Sequence, residues 1–542
     1  MSFRYAPRRM PLAHPAADVW TLLADVADAT PDAPAFIHGE RRLSFAELLD
    51  CSARAAQGLA DLGVVPGDRV ALWLPNIPAY PILYFACARL GAIAVAVNTR
   101  YRAVEVADIV GRSGAKVLAC APAFRRIDFL SILAGIEPEA LDRLTAIVTI
   151  GETPEPVPPA IEHRRRVPFD RLMSRPQFAG NHASARMPCN IFTTSGTTSS
   201  PKFVLHRQGA IAGHAQQVAR TFGFTAPETL SLAILPLCGV FGFNQTLATL
   251  AAGKPSVLVE SYEIEEIARL ITRHKPTTMF GSDDMYQRLM ELMPGRWPFR
   301  SIKWAGYAAF NASLEDLPER AQPRGLRLVG LYGMSEVQAL YSRQPLKLPL
   351  AKRKLGGGVP VSRLAHVRVR DPETGELLGP GQPGMLEMAG PSLMVGYYGN
   401  EQATAAAMTP DGYVRTGDLG QLDGRGGFTY LSRMGDVLRL SGFLVNPLEI
   451  EMHIQKVPGI AGCQTVAVPR PEGVRAVAFV ILEPGAALDE AAIIAHCKHG
   501  LANYKVPMRI LPIDYFPKTP SPNGFKIQRT RLREMAEALL RS

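Results

Sequence analysis

The chain has 542 residues, 47% of them hydrophobic and 20% charged, the composition of a soluble globular protein too long for a single core, so several subdomains are expected. No apolar run reaches the ~18–20 residues that span a bilayer, and the first twenty residues carry basic groups but no apolar h-region, so neither an integral membrane segment nor a secretory signal is expected. The net charge of +10 is spread along the chain; its only tight run, "HRRR" (163–166), reads as a solvated loop, so no nucleic-acid partner is expected and the excess suits small polyanionic ligands.

Seven cysteines (51, 87, 120, 189, 238, 463 and 497) are odd in number, widely spaced and without a CxxC, which indicates neither a disulfide framework nor a zinc site; a cytoplasmic setting is expected.

In chain order, "RRLSFAELLDCSARAAQGLADLGV" has helical spacing and is followed by the short apolar runs "RVALWLP" and "LYFACARLGAIAVAVN". Similar alternation recurs at 107–121, 260–280 and 301–340, and predicts an α/β architecture with largely parallel sheets. After about residue 355 two Gly/Pro-turned hairpins, "AHVRVRDPETGELLGPGQPGMLEM" and "YVRTGDLGQLDGRGGFTYLS", predict a β-rich subdomain over 355–433. A new unit follows: Asn446, Pro447 and Glu449 fit the start of a helix, then come strands at "CQTVAVP" and "VRAVAFVILE", a helix over 488–501 and a loop-rich tail. The expected division is a large N-terminal domain, 1–433, and a small mobile α+β C-terminal domain, 434–542.

The stretch "IFTTSGTTSSPKFVLHR" (191–207) places small and hydroxylated residues between two β-prone runs. Ser195, Gly196, Thr197, Thr198, Ser199 and Ser200 can present successive N–H and O–H donors to an anion, and Lys202 adds a point charge suited to phosphate. It is no Walker loop, since GxxxxGK[ST] is absent and a strand follows directly. On its own it also reads as a flexible Ser/Thr linker.

"TTSGTTSSPK" resembles the phosphate loop of the adenylate-forming superfamily: acyl-CoA synthetases, luciferases and peptide-synthetase adenylation domains. Further stretches follow in that family's order. "GLYGMSEV" (330–337) is similar to its YGxTE motif, "YVRTGDLG" (413–420) to its TGD motif, and "SRMGDVLRLSGFLVNPLEIE" (432–451) to its crossover segment. "YKVP" (504–507) and "GFKIQR" (524–529) resemble its C-terminal end, and the likeness spans roughly residues 20–535.

The resemblance implies an ATP- and Mg²⁺-dependent acid–CoA ligase that forms an acyl-adenylate, releases pyrophosphate, and passes the acyl group to CoA with release of AMP. It assigns Thr194, Ser195, Gly196, Thr197, Thr198 and Lys202 to the β- and γ-phosphates, Ser335 to the α-phosphate and Glu336 to Mg²⁺. Tyr332 stacks on adenine, Asp418 accepts the ribose hydroxyls, and Arg433 contacts ribose or phosphate. Lys526 bridges the substrate carboxylate and the α-phosphate, although "PKTPSPNGFKIQR" has two extra residues and a Phe against the family's PKTxSGKIxR, which keeps Lys518 as the alternative. Ser199 stands where the family has Gly. Gly435 occupies the hinge position, and Gly442 leaves room for pantetheine.

"AILPLCGVFGFNQT" (233–246) resembles the family's PLFHxxG segment, with Gly239 where many members have His. Gly239, Phe241, Gly242 and Phe243, with Tyr307 and Ala308 of "WAGYAAF" and Gly330, are the expected acyl wall, though Phe241 and Phe243 read equally as core packing. No Lys or Arg there suits a second carboxylate, so a bulky apolar monoacid (aromatic, alicyclic or medium-chain) is expected. Transfer to a carrier-protein thiol and a degenerate, non-catalytic adenylate-binding protein are the competing readings. A homodimer is expected from relatives.

Overall fold

The computed structural model describes the chain except residues 1–17, 123, 125–126, 153–158, 195–200, 310–313, 435–437, 441–442, 446, 471–473, 502, 522–523 and 541–542. The first helices start where their caps dictate. Asp18 accepts from the Thr21 N–H at 2.7 Å and opens helix Val19–Ala29. Ser44 and Glu47 form a reciprocal capping box for helix Phe45–Asp61.

Two large sheets carry the N-terminal part, and the mixed α/β class expected from the sequence is what forms. In the eight-stranded sheet, strands Pro188–Thr194, Ile93–Ala96, Arg69–Trp73, Ala115–Cys120, Ala146–Thr149 and Arg165–Pro168 run parallel in that spatial order. The central ones are Val/Ala-rich because helices cover both faces. His163, Arg165 and Arg166 of "HRRR" are exposed, as expected, and Arg164 is half-buried, but Arg165 and Arg166 begin the edge strand rather than a loop, pairing with Ala146 and Ile147. Beyond Pro188–Thr194 the sheet turns antiparallel through Lys202–Arg207 and the two-residue strand Gly396–Tyr397.

In the fourteen-stranded sheet, Pro34–His38, Ser256–Leu258, Ser231–Ala233, Thr278–Ser282, Trp304–Ala308 and Leu328–Met334 are parallel. The rest, from Gln338–Arg343 through Gly357–Pro360, Phe428–Arg433 and Val414–Leu422 to Gly384–Ala389 and His366–Arg370, is antiparallel. "Largely parallel" therefore holds for the eight-stranded sheet, with six parallel strands, but not for the fourteen-stranded one, where six are parallel and the rest antiparallel. The hairpins expected after residue 355 form, but they continue the main sheet. The junction needs glycine: Gly358 sits at φ +102°, and a Cβ there would lie 2.2 Å from the Arg343 carbonyl. This region still has its own apolar cluster, with Val369, Leu386, Met388, Val414 and Phe428 around Tyr332 and Tyr397.

Residues 438–540 pack into two further clusters on either side of strands Ile460–Val468, Arg475–Leu482 and Arg509–Pro512. Ala476, Ala478 and Val480 face helices Pro447–Ile454 and Glu490–Gly500; Val477 and Phe479 face helix Arg529–Leu539, the period-2 signature of a sheet covered twice. The tail is not loop-rich. It holds the hairpin Lys518–Ser521/Gly524–Ile527 and helix Arg529–Leu539, which buries Leu532 and Ala536 one turn apart. Among the described residues no helix is long and apolar enough to cross a membrane. All seven cysteines are unpaired, six of them buried.

Candidate active site

Strand Leu328–Met334 brings Tyr332 to the junction between the parallel and antiparallel halves of the sheet, and the turn Ser335–Val337 follows directly. Across from it, Asp418 and Arg433 are paired in register on strands Val414–Leu422 and Phe428–Arg433. The Tyr332 hydroxyl donates to Asp418 Oδ2 at 2.5 Å, and Arg433 Nη1 lies 3.1 Å from Asp418 Oδ1 and donates to the Thr416 carbonyl at 3.1 Å. Thr416 Oγ1 in turn accepts from the Asp418 N–H at 3.0 Å. Asp418 is buried while half of the Arg433 side chain is exposed, so the pair offers its cationic end to the outside. Burial, and then the Asp418 carboxylate, push the Tyr332 phenol far above its ordinary range, so it stays a neutral donor. Its ring meets Phe428 edge-on at 5.2 Å and lies tilted over Tyr430 at 5.8 Å.

Glu336 is buried, and its carboxylate oxygen Oε1 accepts from the Tyr397 hydroxyl at 2.8 Å. The Tyr397 ring carries Lys202 Nζ 4.8 Å from its centroid, a cation–π contact. Lys202 and Thr194 are cross-strand partners, which sets the described ends of strands Pro188–Thr194 and Lys202–Arg207 beside this relay. Tyr397 was not among the residues expected from the sequence. Gly396 makes its approach possible: φ is +154°, and a Cβ would come within 2.8 Å of Thr404 Cγ2.

Two buried imidazoles hold the turn from below. His206 Nε2 bonds the Ser335 carbonyl and His214 Nε2 the Ala339 carbonyl, each at 2.7 Å. Burial pushes both pKa values down to about 4, so both rings are neutral donors. Neither histidine was singled out from the sequence.

Of the residues expected from the sequence to form the acyl wall, Gly239 is the N-cap of helix Val240–Ala251. Phe243 is buried edge-on against Tyr84 at 4.9 Å and Phe192 at 5.3 Å, and Phe241 lies tilted 6.1 Å from Phe280. The missing side chains of two glycines admit backbone: a Cβ on Gly242 would lie 2.6 Å from the Leu235 carbonyl oxygen, and one on Gly330 2.0 Å from that of Leu355. Tyr307, paired with Gly330, donates its hydroxyl to the Lys354 carbonyl at 2.5 Å, and Ala308 ends the same strand half-buried. Cys238 is buried, its thiol pushed up to about 12 by that burial, and behaves as a small apolar group.

Ser195, Gly196, Thr197, Thr198, Gly435 and Gly442 lie outside the described residues, as does the helix-start residue Asn446. Of Lys526 the backbone is described: it stands opposite Thr519 on the C-terminal hairpin, and the two extra residues noted in the sequence, 522 and 523, lie outside the described residues. Arg529 anchors that hairpin, donating to both oxygens of the fully buried Glu451 at 2.8 and 3.1 Å and to Gln464 Oε1. Among the described residues no group of three or more His, Cys, Asp or Glu could hold a metal. A single buried carboxylate such as Glu336 suits Mg²⁺, which takes one or two protein oxygens and completes its shell with substrate phosphates and water.

Residues 23–398 match the family model of AMP-binding enzymes, and residues 449–522 that of the AMP-binding enzyme C-terminal domain. The chain is 31% identical to 3-[(3aS,4S,7aS)-7a-methyl-1,5-dioxo-octahydro-1H-inden-4-yl]propanoyl:CoA ligase of Mycobacterium tuberculosis, over 93% of this chain and 96% of the relative. It is 30% identical to a feruloyl-CoA synthase of Amycolatopsis sp., over 91% and 95%. The crystal structure of ATP-bound MatB from Rhodopseudomonas palustris superposes with a TM-score of 0.81 at 25% identity, covering 96% of this chain and all of that one. The chain belongs to the AMP-binding enzyme family and is an acid–thiol ligase of the AMP-forming acyl-CoA synthetase kind.

Proposed function

We propose that the protein joins a bulky, mainly apolar monocarboxylic acid to CoA at the expense of ATP, using the two polar assemblies on either side of Tyr332. A carboxylate oxygen attacks the α-phosphorus, the bond to the bridging oxygen breaks, and pyrophosphate leaves. The CoA thiolate then attacks the acyl carbon, AMP departs, and a thioester remains. The observation that supports this reading most is the joined set Tyr332–Asp418–Arg433 beside Glu336–Tyr397–Lys202. It brings together a hydroxyl-accepting carboxylate, an aromatic face, a metal-suited carboxylate and a cation, with Tyr332, Asp418 and Arg433 from the fourteen-stranded sheet and Lys202 and Tyr397 from the antiparallel end of the eight-stranded one.

In this reading Asp418 takes the ribose hydroxyls, Tyr332 faces adenine, and Ser335 with Lys202 and the Thr194–Thr198 segment holds the phosphates. Mg²⁺ at Glu336 would offset the phosphate charge that otherwise repels the incoming carboxylate. Lys526 carries the cation that lets the two anions meet, from a C-terminal domain beginning near residue 434 and hinged at Gly435. The separate apolar clusters of residues 438–540 support that division. Phe241, Phe243 and Tyr307 provide the apolar acyl wall. Seven unpaired cysteines suit a reducing cytoplasm.

The test is pyrophosphate release over a panel of aromatic, alicyclic and medium-chain acids, with and without CoA. CoA-dependent turnover is expected; adenylate without thioester would favour a carrier-protein acceptor, and ATP binding without pyrophosphate a non-catalytic protein. Lys526→Ala should lower adenylation by roughly 10²–10³-fold, the usual cost of one charge-stabilising donor, yet leave thioester formation from supplied adenylate intact. Unchanged adenylation would move the role to another residue, with Lys518 next in line.

A further inference from the structure

Gln338 follows the turn that carries Ser335 and Glu336, and it is backbone-strained: φ +68° and ψ +144°, close to a conformation that is essentially glycine's own. Leu340, two residues on, also has positive φ, at +64°. Between them the Ala339 carbonyl is gripped by His214. The strain fixes a fully buried polar side chain. Gln338 Oε1 accepts from Asn244 Nδ2 at 2.9 Å, and Asn244 is fully buried on the helix that carries Phe241 and Phe243.

Each amide has one group left over. Among the described residues, Gln338 Nε2 and Asn244 Oδ1 have no hydrogen-bond partner. Buried side-chain amide groups without partners are destabilising and uncommon. Exchanging O and N on both amides gives the same result, a donor and an acceptor side by side, so the pattern does not depend on how the amides were oriented.

We propose that the Asn244–Gln338 pair determines specificity for the acid by binding an uncharged oxygen substituent on its ring or chain. This rests on the acyl-wall reading above and sharpens it. A hydroxyl fits both groups, donating to the Asn244 oxygen and accepting from the Gln338 N–H; an oxo group uses the Gln338 half alone. A second carboxylate does not fit, because two neutral amides in an apolar surround supply no counter-charge. The pair therefore selects a mainly apolar monoacid bearing a hydroxyl or oxo group, and disfavours its unsubstituted counterpart, which leaves both amides unpaired.

The experiment compares phenylpropanoic, cinnamic and naphthoic acids with their monohydroxylated counterparts, one ring position at a time, in CoA-dependent pyrophosphate release. At one position the hydroxyl should raise kcat/KM by at least about tenfold, and the Asn244→Leu/Gln338→Met double variant should abolish or reverse that preference. Affinities of the wild-type protein for acyl-sulfamoyl adenosines of the same acid pairs give the answer without a variant, should the double variant fail to fold. Equal rates and affinities for both members at every position, or a preference that survives in the variant, would overturn the proposal while the ligase reading stands. No turnover of any acid, despite ATP binding, would sink the ligase reading itself.

Discussion

The proposed nucleotide wall and the proposed acyl wall of the candidate site are built on opposite plans. Around Tyr332, the phenol, the Asp418 carboxylate, the Arg433 guanidinium and Thr416 answer one another, and Tyr397 does the same for Glu336. Around Phe243 the contacts are ring against ring, and the neighbouring polar pair, Asn244–Gln338, keeps a donor and an acceptor unused among the described residues. The difference has a physical reason. Adenosine triphosphate is the same in every turnover, so its side can be fixed in advance by mutual hydrogen bonds. The acid varies from one ligase to another, and selection among acids is strongest where a wrong one strands buried polar groups.

The acyl wall is also part of the main core, and that gives the largest expected effect. Phe243→Ala removes a ring packed on Tyr84 and Phe192, and should cost about 3–5 kcal/mol, the usual range for buried Phe truncation, read as an earlier midpoint in urea. An unchanged midpoint would break the contrast, since the ring would then line the acid's site without holding the core.

How much of this was legible in the sequence depends on how local the signal is. The two β-prone runs of the stretch 191–207 and the hairpins after residue 355 carry their signal within a few positions, and those strands formed as read. Tyr397 gave no such signal: its strand is two residues long and pairs with Val204, nearly two hundred positions earlier. His206 and His214 were missed because their partners, Ser335 and Ala339, are set by tertiary packing. The tail helix was different. Leu532 and Ala536, four apart, were visible, but the Pro/Gly-rich stretch before them drew the reading toward loop.

The two histidines sit one under each wall, which makes acid a way to probe both. His214 is neutral in the fold, with its pKa pushed down to about 4 by burial, whereas an unfolded imidazole titrates near ~6.5. Between those values the unfolded chain binds a proton that the fold excludes, so stability is full above the upper value and is lost as pH falls toward the lower. His214→Gln keeps a donor for the Ala339 carbonyl but cannot titrate. Within that window the wild type should lose up to about 1.4 kcal/mol per pH unit more than the variant, by chemical unfolding at matched pH; the carboxylates common to both cancel. Coincident slopes would mean that the imidazole already carries its proton in the fold.

The smallest expected effect isolates a single bond on the nucleotide wall. Tyr397→Phe keeps the ring beneath Lys202 Nζ and deletes only the O–H that Glu336 accepts. A hydrogen bond to a charged group contributes about 1.5–3 kcal/mol, but water and Mg²⁺ can take the freed lone pair, so the KM for Mg-ATP should rise about threefold to tenfold with kcat little changed. Tyr397→Leu also removes the aromatic face, and its KM should rise further than that of the Phe variant. If both variants bind Mg-ATP like the wild type, the Lys202–Tyr397–Glu336 relay only packs, and the nucleotide side loses half of its pre-set order. If only the Leu variant is impaired, the aromatic face matters and the hydroxyl does not, because the cation over the ring, rather than the bond to the carboxylate, fixes the phosphate end.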